Sequence, residues 1–121
     1  MLDVQKIATD YIALWNEMDS ARRARLLEER WTDAATYVDP LAKVAGHDEI
    51  GAYIGGVHTR FPDFRFALLG EPSGHGDHVR FSWTLGPAAG EAPIEGSDVL
   101  TTQAGRIASV IGFLDKVPQP A

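Results

Sequence analysis

Three side chains join a titratable group to apolar neighbours: Tyr11, Asp39 and Asp98. Tyr11 lies among Ile7, Ile12 and Trp15 at helical spacing, so a ring in the core carries a hydroxyl that must find a partner or a ligand. Asp39 ends the β-prone run Ala35-Thr36-Tyr37-Val38 directly before Pro40, which holds it extended. Asp98 shares strand parity with Leu100, and a carboxylate on that inward face is costly unless paired or protonated. Each also has an ordinary structural reading: a core tyrosine, an Asp-Pro turn, an edge-strand carboxylate. There is no cysteine, hence no thiol nucleophile and no thiolate metal site, and neither a phosphate-binding glycine loop nor a Gly-x-Ser-x-Gly elbow is present. Acid–base chemistry by carboxylate, tyrosine and histidine is what remains.

Other polar groups read as structural. His75-Gly76-Asp77-His78 has ligand-type side chains at turn spacing and is expected to be a hairpin rather than a metal site. His58 follows Ile54 by four, at the edge of an apolar stripe, and is either a boundary residue or a pocket donor. His47-Asp48-Glu49 looks like a helix start with carboxylates at the positive end of the dipole. Arg22-Arg23-Ala24-Arg25, balanced by Glu28 and Glu29, reads as a solvated helix face.

The elements that must position these groups follow from periodicity. Val4, Ile7, Ala8, Tyr11, Ile12, Leu14, Trp15 and Met18 form the apolar stripe of a first helix. Asp19-Ser20 opens a second over about 21–30, with Ala24, Leu27 and Trp31 as its thin buried face. A third runs near 47–60 on Ile50, Tyr53, Ile54, Val57 and Phe61; close packing against a sheet would explain Gly51, Gly55 and Gly56 within it. Besides the short early strand at 35–38, strands are expected at 64–68, 78–85, 94–103 and 106–116, with turns at 73–77, 86–93 and 104–105. In 78–85, Val79, Phe81, Trp83 and Leu85 share one face, and His78, Arg80, Ser82 and Thr84 the other. Three helices followed by a meander form an α+β pattern in which a curved sheet can wrap helices and enclose a cavity.

Composition agrees with one domain spanning 1–121, its core about 3–116, with an unpaired proline-containing tail at 117–121. The chain is 45% hydrophobic and 23% charged, near globular averages. A net charge of −6 argues against nucleic acid and anionic membrane surfaces as partners. No apolar run approaches the roughly 20 residues that span a bilayer. Met1 to Lys6 lacks a basic region followed by an apolar stretch, so the expected location is cytoplasmic.

The segment Tyr11-Ile12-Ala13-Leu14-Trp15-Asn16-Glu17-Met18-Asp19, followed by Ala34-Ala35-Thr36-Tyr37-Val38-Asp39-Pro40, resembles the start of a ketosteroid isomerase. Over about 3–116 the chain resembles the wider nuclear transport factor 2-like superfamily, SnoaL-like polyketide cyclases included. Arg60-Phe61-Pro62-Asp63-Phe64, Gly96-Ser97-Asp98 and Gly105-Arg106-Ile107 leading to Phe113-Leu114-Asp115 extend the match. The resemblance implies a cone: a curved mixed or antiparallel sheet packed on three N-terminal helices around a pocket, usually dimerised through the sheet's outer face. It also implies cofactor-independent catalysis on a small apolar carbonyl compound, without metal. Asp39 falls at the general base, Tyr11 at the oxyanion-hole tyrosine and Asp98 at the protonated acid beside it, an arrangement long used to illustrate a carboxyl kept neutral by an apolar site. The implied pocket wall is Trp15, Tyr53, His58, Phe81, Trp83, Leu85, Leu100, Val110 and Leu114. Trp83 is bulky enough to fill that pocket, and the same cone hosts non-catalytic binders and epoxide hydrolases, so two further readings stand. One is a ligand-binding or protein-interaction module. The other is a hydrolase, which ranks lower because Arg80, inside a core strand, is expected opposite Phe81 and Trp83.

Overall fold

A computed structural model describes residues 3–118. The elements are α1 (Val4–Asn16), α2 (Ser20–Arg30), β1 (Trp31–Val38), β2 (Lys43–Ala45), α3 (Gly46–Arg60), β3 (Phe64–His75), β4 (His78–Pro87), β5 (Ile94–Gln103) and β6 (Arg106–Lys116). Asp3 and Asp19 cap the first two helices, their side chains accepting from the N–H groups of Lys6 and Arg22. One six-stranded sheet has the order β2-β1-β6-β5-β4-β3. Every pairing is antiparallel except that of β1 with β6, so the last strand lies beside the first. This is the expected α+β cone, with a mixed sheet and helices packed on its inner face.

Four local expectations differ from the structure. The first helix stops at Asn16, leaving Met18 exposed, and Trp31 is not the end of α2's apolar face but the buried first residue of β1. β2 carries too few residues to show a period. β3 runs on through the expected break at 70–72 to His75, by a register shift between Leu69 and Ser73 that absorbs Gly70 and Pro72. Val117 and Pro118, placed in the tail by sequence, lie against the cavity described below, while 119–121 fall outside the described residues.

The charged face of α2 is not wholly solvated. Arg23 is buried, and its Nη1 donates to the carbonyl of Glu17 at 2.8 Å. A Cβ at Gly55 would lie 3.0 Å from the Arg23 guanidinium, and one at Gly51 would lie 3.6 Å from Leu27. Gly55 therefore admits the Arg23 side chain of α2, whereas Gly51 is in ordinary contact with Leu27 and a Cβ at Gly56 would meet nothing within 4 Å, so none of the three is explained by the expected packing against the sheet. Ala24, expected on α2's buried face, is exposed.

The core joins Ala8, Leu14, Leu27, Trp31, Ile50, Ile54, Val79, Leu100 and Val110, all at most 1% exposed. One polar clamp sets α1 on the sheet: Asn16 donates from Nδ2 to the carbonyl of Phe66 at 2.9 Å, and its Oδ1 accepts from the Phe66 N–H at 2.8 Å. The side-chain amide thus pairs with the free edge of β3 as a further strand would. Asn16→Ala is expected to lower the unfolding free energy by about 2 kcal/mol, two hydrogen bonds at about 1 kcal/mol each, measured as a shift of the urea midpoint.

Candidate active site

Sheet register assembles the site. Phe81 pairs with Asp98 and Asp98 with Gly112. Val38 pairs with Ile111 in the parallel ladder, so Asp39 and Gly112 are the next residues along their strands. Asp39 and Asp98 therefore flank Gly112 from the two neighbouring strands, about 10 Å apart at the backbone. A Cβ at Gly112 would lie 2.9 Å from Asp98 Oδ1, 3.3 Å from Asp39 Cβ and 3.6 Å from the Tyr37 hydroxyl. The two carboxylates lean over this one glycine.

Asp98 is 2% exposed, and two donors approach it from opposite sides. Tyr11 Oη, from α1, makes a short hydrogen bond to Oδ2, and Trp83 Nε1, from β4, donates to Oδ1 at 3.1 Å. Burial raises the carboxyl from 3.8 to about 6 against the opposing pull of these two donors, with Asp39 and Asp115 adding negative potential. The resemblance implies a protonated acid here, and burial moves the carboxyl in that direction while its two donors offset part of the desolvation. Burial and the neighbouring Asp98 carboxylate hold the Tyr11 hydroxyl well above 10.0. Its ring stacks on Trp31 at 6.0 Å and meets Phe81 edge-on at 5.0 Å.

Asp39 is held by four donors. The N–H groups of Leu41 and Ala42 donate to Oδ1 at 2.8 and 2.9 Å, closing the turn at Pro40, and the hydroxyls of Tyr37 and Tyr53 donate to Oδ2 at 2.7 and 2.8 Å. Burial, above all, raises both tyrosines, and the carboxylate they face adds to it.

These groups open on one cavity of about 340 Å³, near the lower end of the range for small-molecule sites. Its wall is otherwise apolar: Ile12, Trp15, Val57, Phe61, Phe66, Trp83, Leu85, Ile94 and Leu114 contribute. Leu41, Phe113 and Val117 line it while remaining exposed, which marks the mouth. Of the residues named from sequence, Tyr11, Asp39, Asp98, Trp15, Tyr53, Trp83, Leu85 and Leu114 all lie on this cavity. Trp83 does not plug it, because the ring lies flat over Gly96, where a Cβ would come within 2.2 Å of the indole.

Four expected wall residues lie elsewhere. His58 Nε2 donates to the carbonyl of Trp15 at 2.6 Å and ties α3 to the end of α1. Phe81 supports the Tyr11 ring from below, and Leu100 and Val110 are sealed in the core, because the cone narrows beneath the Tyr11–Asp98 pair. Tyr37 is the site residue that sequence reading passed over. Its signal was present: in an extended strand, Tyr37 and Asp39 share a face. Nothing local marked Phe66, Ile94 or Gly112. His75 and His78 pair across the β3–β4 turn as expected, and among the described residues no group of three His, Cys, Asp or Glu side chains could hold a metal ion.

A curved six-stranded sheet with three helices packed over an apolar pocket is the nuclear transport factor 2-like fold. The chain belongs to the SnoaL-like family: that domain's model matches residues 8–110. It is similar to a SnoaL-like family protein from Agrobacterium tumefaciens described as a candidate isomerase, with 42% identity, 93% of this chain and 97% of that one covered, and a TM-score of 0.88. A candidate ketosteroid isomerase from Kribbella flavida shares the fold at 15% identity, covering 98% and 82% of the two chains with a TM-score of 0.71. A candidate polyketide cyclase from Sinorhizobium meliloti does so at 19% identity, 91% and 95% coverage and a TM-score of 0.71. Comparison with curated proteins gives no match.

Because the Asp98 carboxyl is raised in the folded chain, the folded state holds a proton that the unfolded state releases between pH 3.8 and about 6. Stability from this group is thus greatest below that window and is lost as pH rises through it. Relative to Asp98→Asn, the wild type is expected to lose on the order of 3 kcal/mol between pH 3.5 and 8, read from paired urea titrations.

Proposed function

We propose that this protein carries out cofactor-independent acid–base catalysis on a small apolar carbonyl compound, in the manner of a ketosteroid isomerase or a SnoaL-like cyclase. The observation that supports this most is the convergence of Tyr11, Asp39 and Asp98 on a single apolar cavity. In this reading Asp39 removes a proton from the carbon beside the carbonyl, after one tyrosine hydroxyl turns away from Oδ2 to free a lone pair. An apolar ligand displaces water and raises Asp98 further, so it stays protonated in the complex. Tyr11 and the Asp98 acid then donate to the enolate oxygen as negative charge develops there. Asp39 returns its proton to a different carbon, which migrates the double bond, or the enolate carbon attacks a second carbonyl, which closes a ring. The name carried by the Agrobacterium relative agrees with an isomerase.

One observation favours a second reading, a non-catalytic ligand-binding module: the four donors on Asp39 fill the acceptor positions of a carboxylate. The hydrolase reading has less support, since the residues lining the cavity include no arginine and Arg80 is exposed on the outward face of β4.

Incubation with a cyclic β,γ-unsaturated ketone is expected to shift its ultraviolet absorption as the double bond moves into conjugation. Asp39→Asn should slow this by roughly a hundred- to ten-thousand-fold. A wild type that binds such ketones yet exchanges no proton beside the carbonyl for solvent deuterium would establish the binding module instead.

A further inference from the structure

The two oxygens of Asp98 are not equivalent. Trp83 donates to Oδ1 and Tyr11 lies on Oδ2. An indole N–H is a donor only, whereas a tyrosine hydroxyl both donates and accepts. We propose that Trp83 is a positioning residue for the Asp98 acid: its N–H claims Oδ1 as the carbonyl oxygen, so the proton that Asp98 carries sits on Oδ2, beside Tyr11. This inference rests on the acid–base reading only for the use made of that proton; its placement follows from the donors alone.

The opposite placement is poorly accommodated. A proton on Oδ1 would face Trp83 N–H, which cannot accept, and the Tyr37 hydroxyl across the Gly112 notch, which is engaged with Asp39 and makes no hydrogen bond to Asp98. It would be a buried O–H without a partner, while Oδ2 would still hold the Tyr11 hydrogen bond. With the proton on Oδ2, the acid is hydrogen-bonded to Tyr11 in the free protein, and both O–H groups can turn to the oxygen of a bound ligand. Trp83, Asp98 and Tyr11 then form one hydrogen-bonded network in which each link polarises the next.

The indole is held so that its N–H reaches this oxygen and no other. Trp83 pairs directly with Gly96, two residues before Asp98 on the same face of β5. The absence of a side chain at Gly96 lets the ring lie flat along the strand: an added Cβ would meet Cζ2 at 2.2 Å and Cε2 at 2.6 Å. Phe66 closes over the ring edge-on at 5.3 Å. The glycine thus acts through the tryptophan, and the tryptophan through the carboxyl. A tryptophan serving only as cavity wall would need neither the flat bed nor the aligned N–H.

The test is nuclear magnetic resonance of the indole N–H groups in the ¹⁵N-labelled wild-type protein from pH 4.5 to 8. The chain has three tryptophans, so three signals are followed, and that of Trp83 is assigned with Trp83→Phe. The Trp83 signal is expected to titrate with Asp98, with a midpoint near 6, and to keep the downfield position of a hydrogen-bonded indole below that midpoint. In Asp98→Asn it should stay downfield and cease to titrate. Movement to the position of an unbonded indole once Asp98 gains its proton would overturn the proposal. This reading needs no substrate to be turned over, so it stands apart from failure of the catalytic assay. Where turnover is observed, Trp83→Phe and Gly96→Ala should each lower kcat roughly tenfold with little change in KM, the scale of one hydrogen bond. Both should also move the Asp98 limb of the pH profile upward, since a donor to the charged form is lost. A change in KM alone would make Trp83 a wall residue.

Discussion

A carboxyl group buried at the junction of helix and sheet governs this molecule. Asp98 is on β5 and Tyr11 on α1, 87 residues apart in sequence, and their hydrogen bond is the buried polar contact between α1 and the middle of the sheet. An isolated ionised carboxylate in such a place would cost far more than the few kilocalories that separate folded from unfolded chains. The surroundings answer that cost in parts: one donor from the helix, one from the neighbouring strand, and a raised pKa for what remains. Position of α1, orientation of Trp83 and the chemical character of the cavity base all follow from satisfying this one group.

A second constraint is space. Aromatic side chains line nearly every side of the cone, and left to themselves they would interdigitate and close it. Two glycines prevent this. Gly96 lets the Trp83 ring lie down on β5, and Gly112 leaves an unfilled notch between Asp98 and Asp39. The cavity therefore exists where side chains are missing from a sheet, not where helices stand off from it. The narrow end, with no such omissions, is a solid core of Leu100, Val110 and Ile54.

The parallel pairing of β1 with β6 brings the early and late halves of the chain to one place. It sets Asp39, from the first strand, beside Gly112, from the last, and so within reach of Asp98. The carboxylates are then treated differently. Asp98 stands among apolar groups with two donors, whereas Asp39 sits in a turn with four. Similar groups held in dissimilar environments are how a site obtains an acid and a base from one residue type.

By itself the sequence determined the helices at 4–16, 20–30 and 46–60 to within a few residues, and the long strands at 78–87, 94–103 and 106–116. These elements declare themselves through repeating apolar spacing, a local property of the chain. It also placed Tyr11 on the stripe of Trp15 and Asp98 on the face of Leu100, while an exposed edge-strand carboxylate stayed open until the structure showed Asp98 buried. The pairing of Asp39 with Tyr37 was legible in the same way, two residues apart on one strand, though nothing local gave it meaning. Only tertiary structure decided that Tyr53 reaches Asp39, that Trp83 reaches Asp98 instead of filling the pocket, and that His58, Phe81, Leu100 and Val110 lie outside the cavity. It also decided that Arg23 is buried under a glycine of α3. Each of these depends on register between strands or on the approach of two helices, set by summed packing over the whole core and written in no short stretch of residues. Periodicity tells a side chain which way to face; what it meets there is settled by elements far away in sequence.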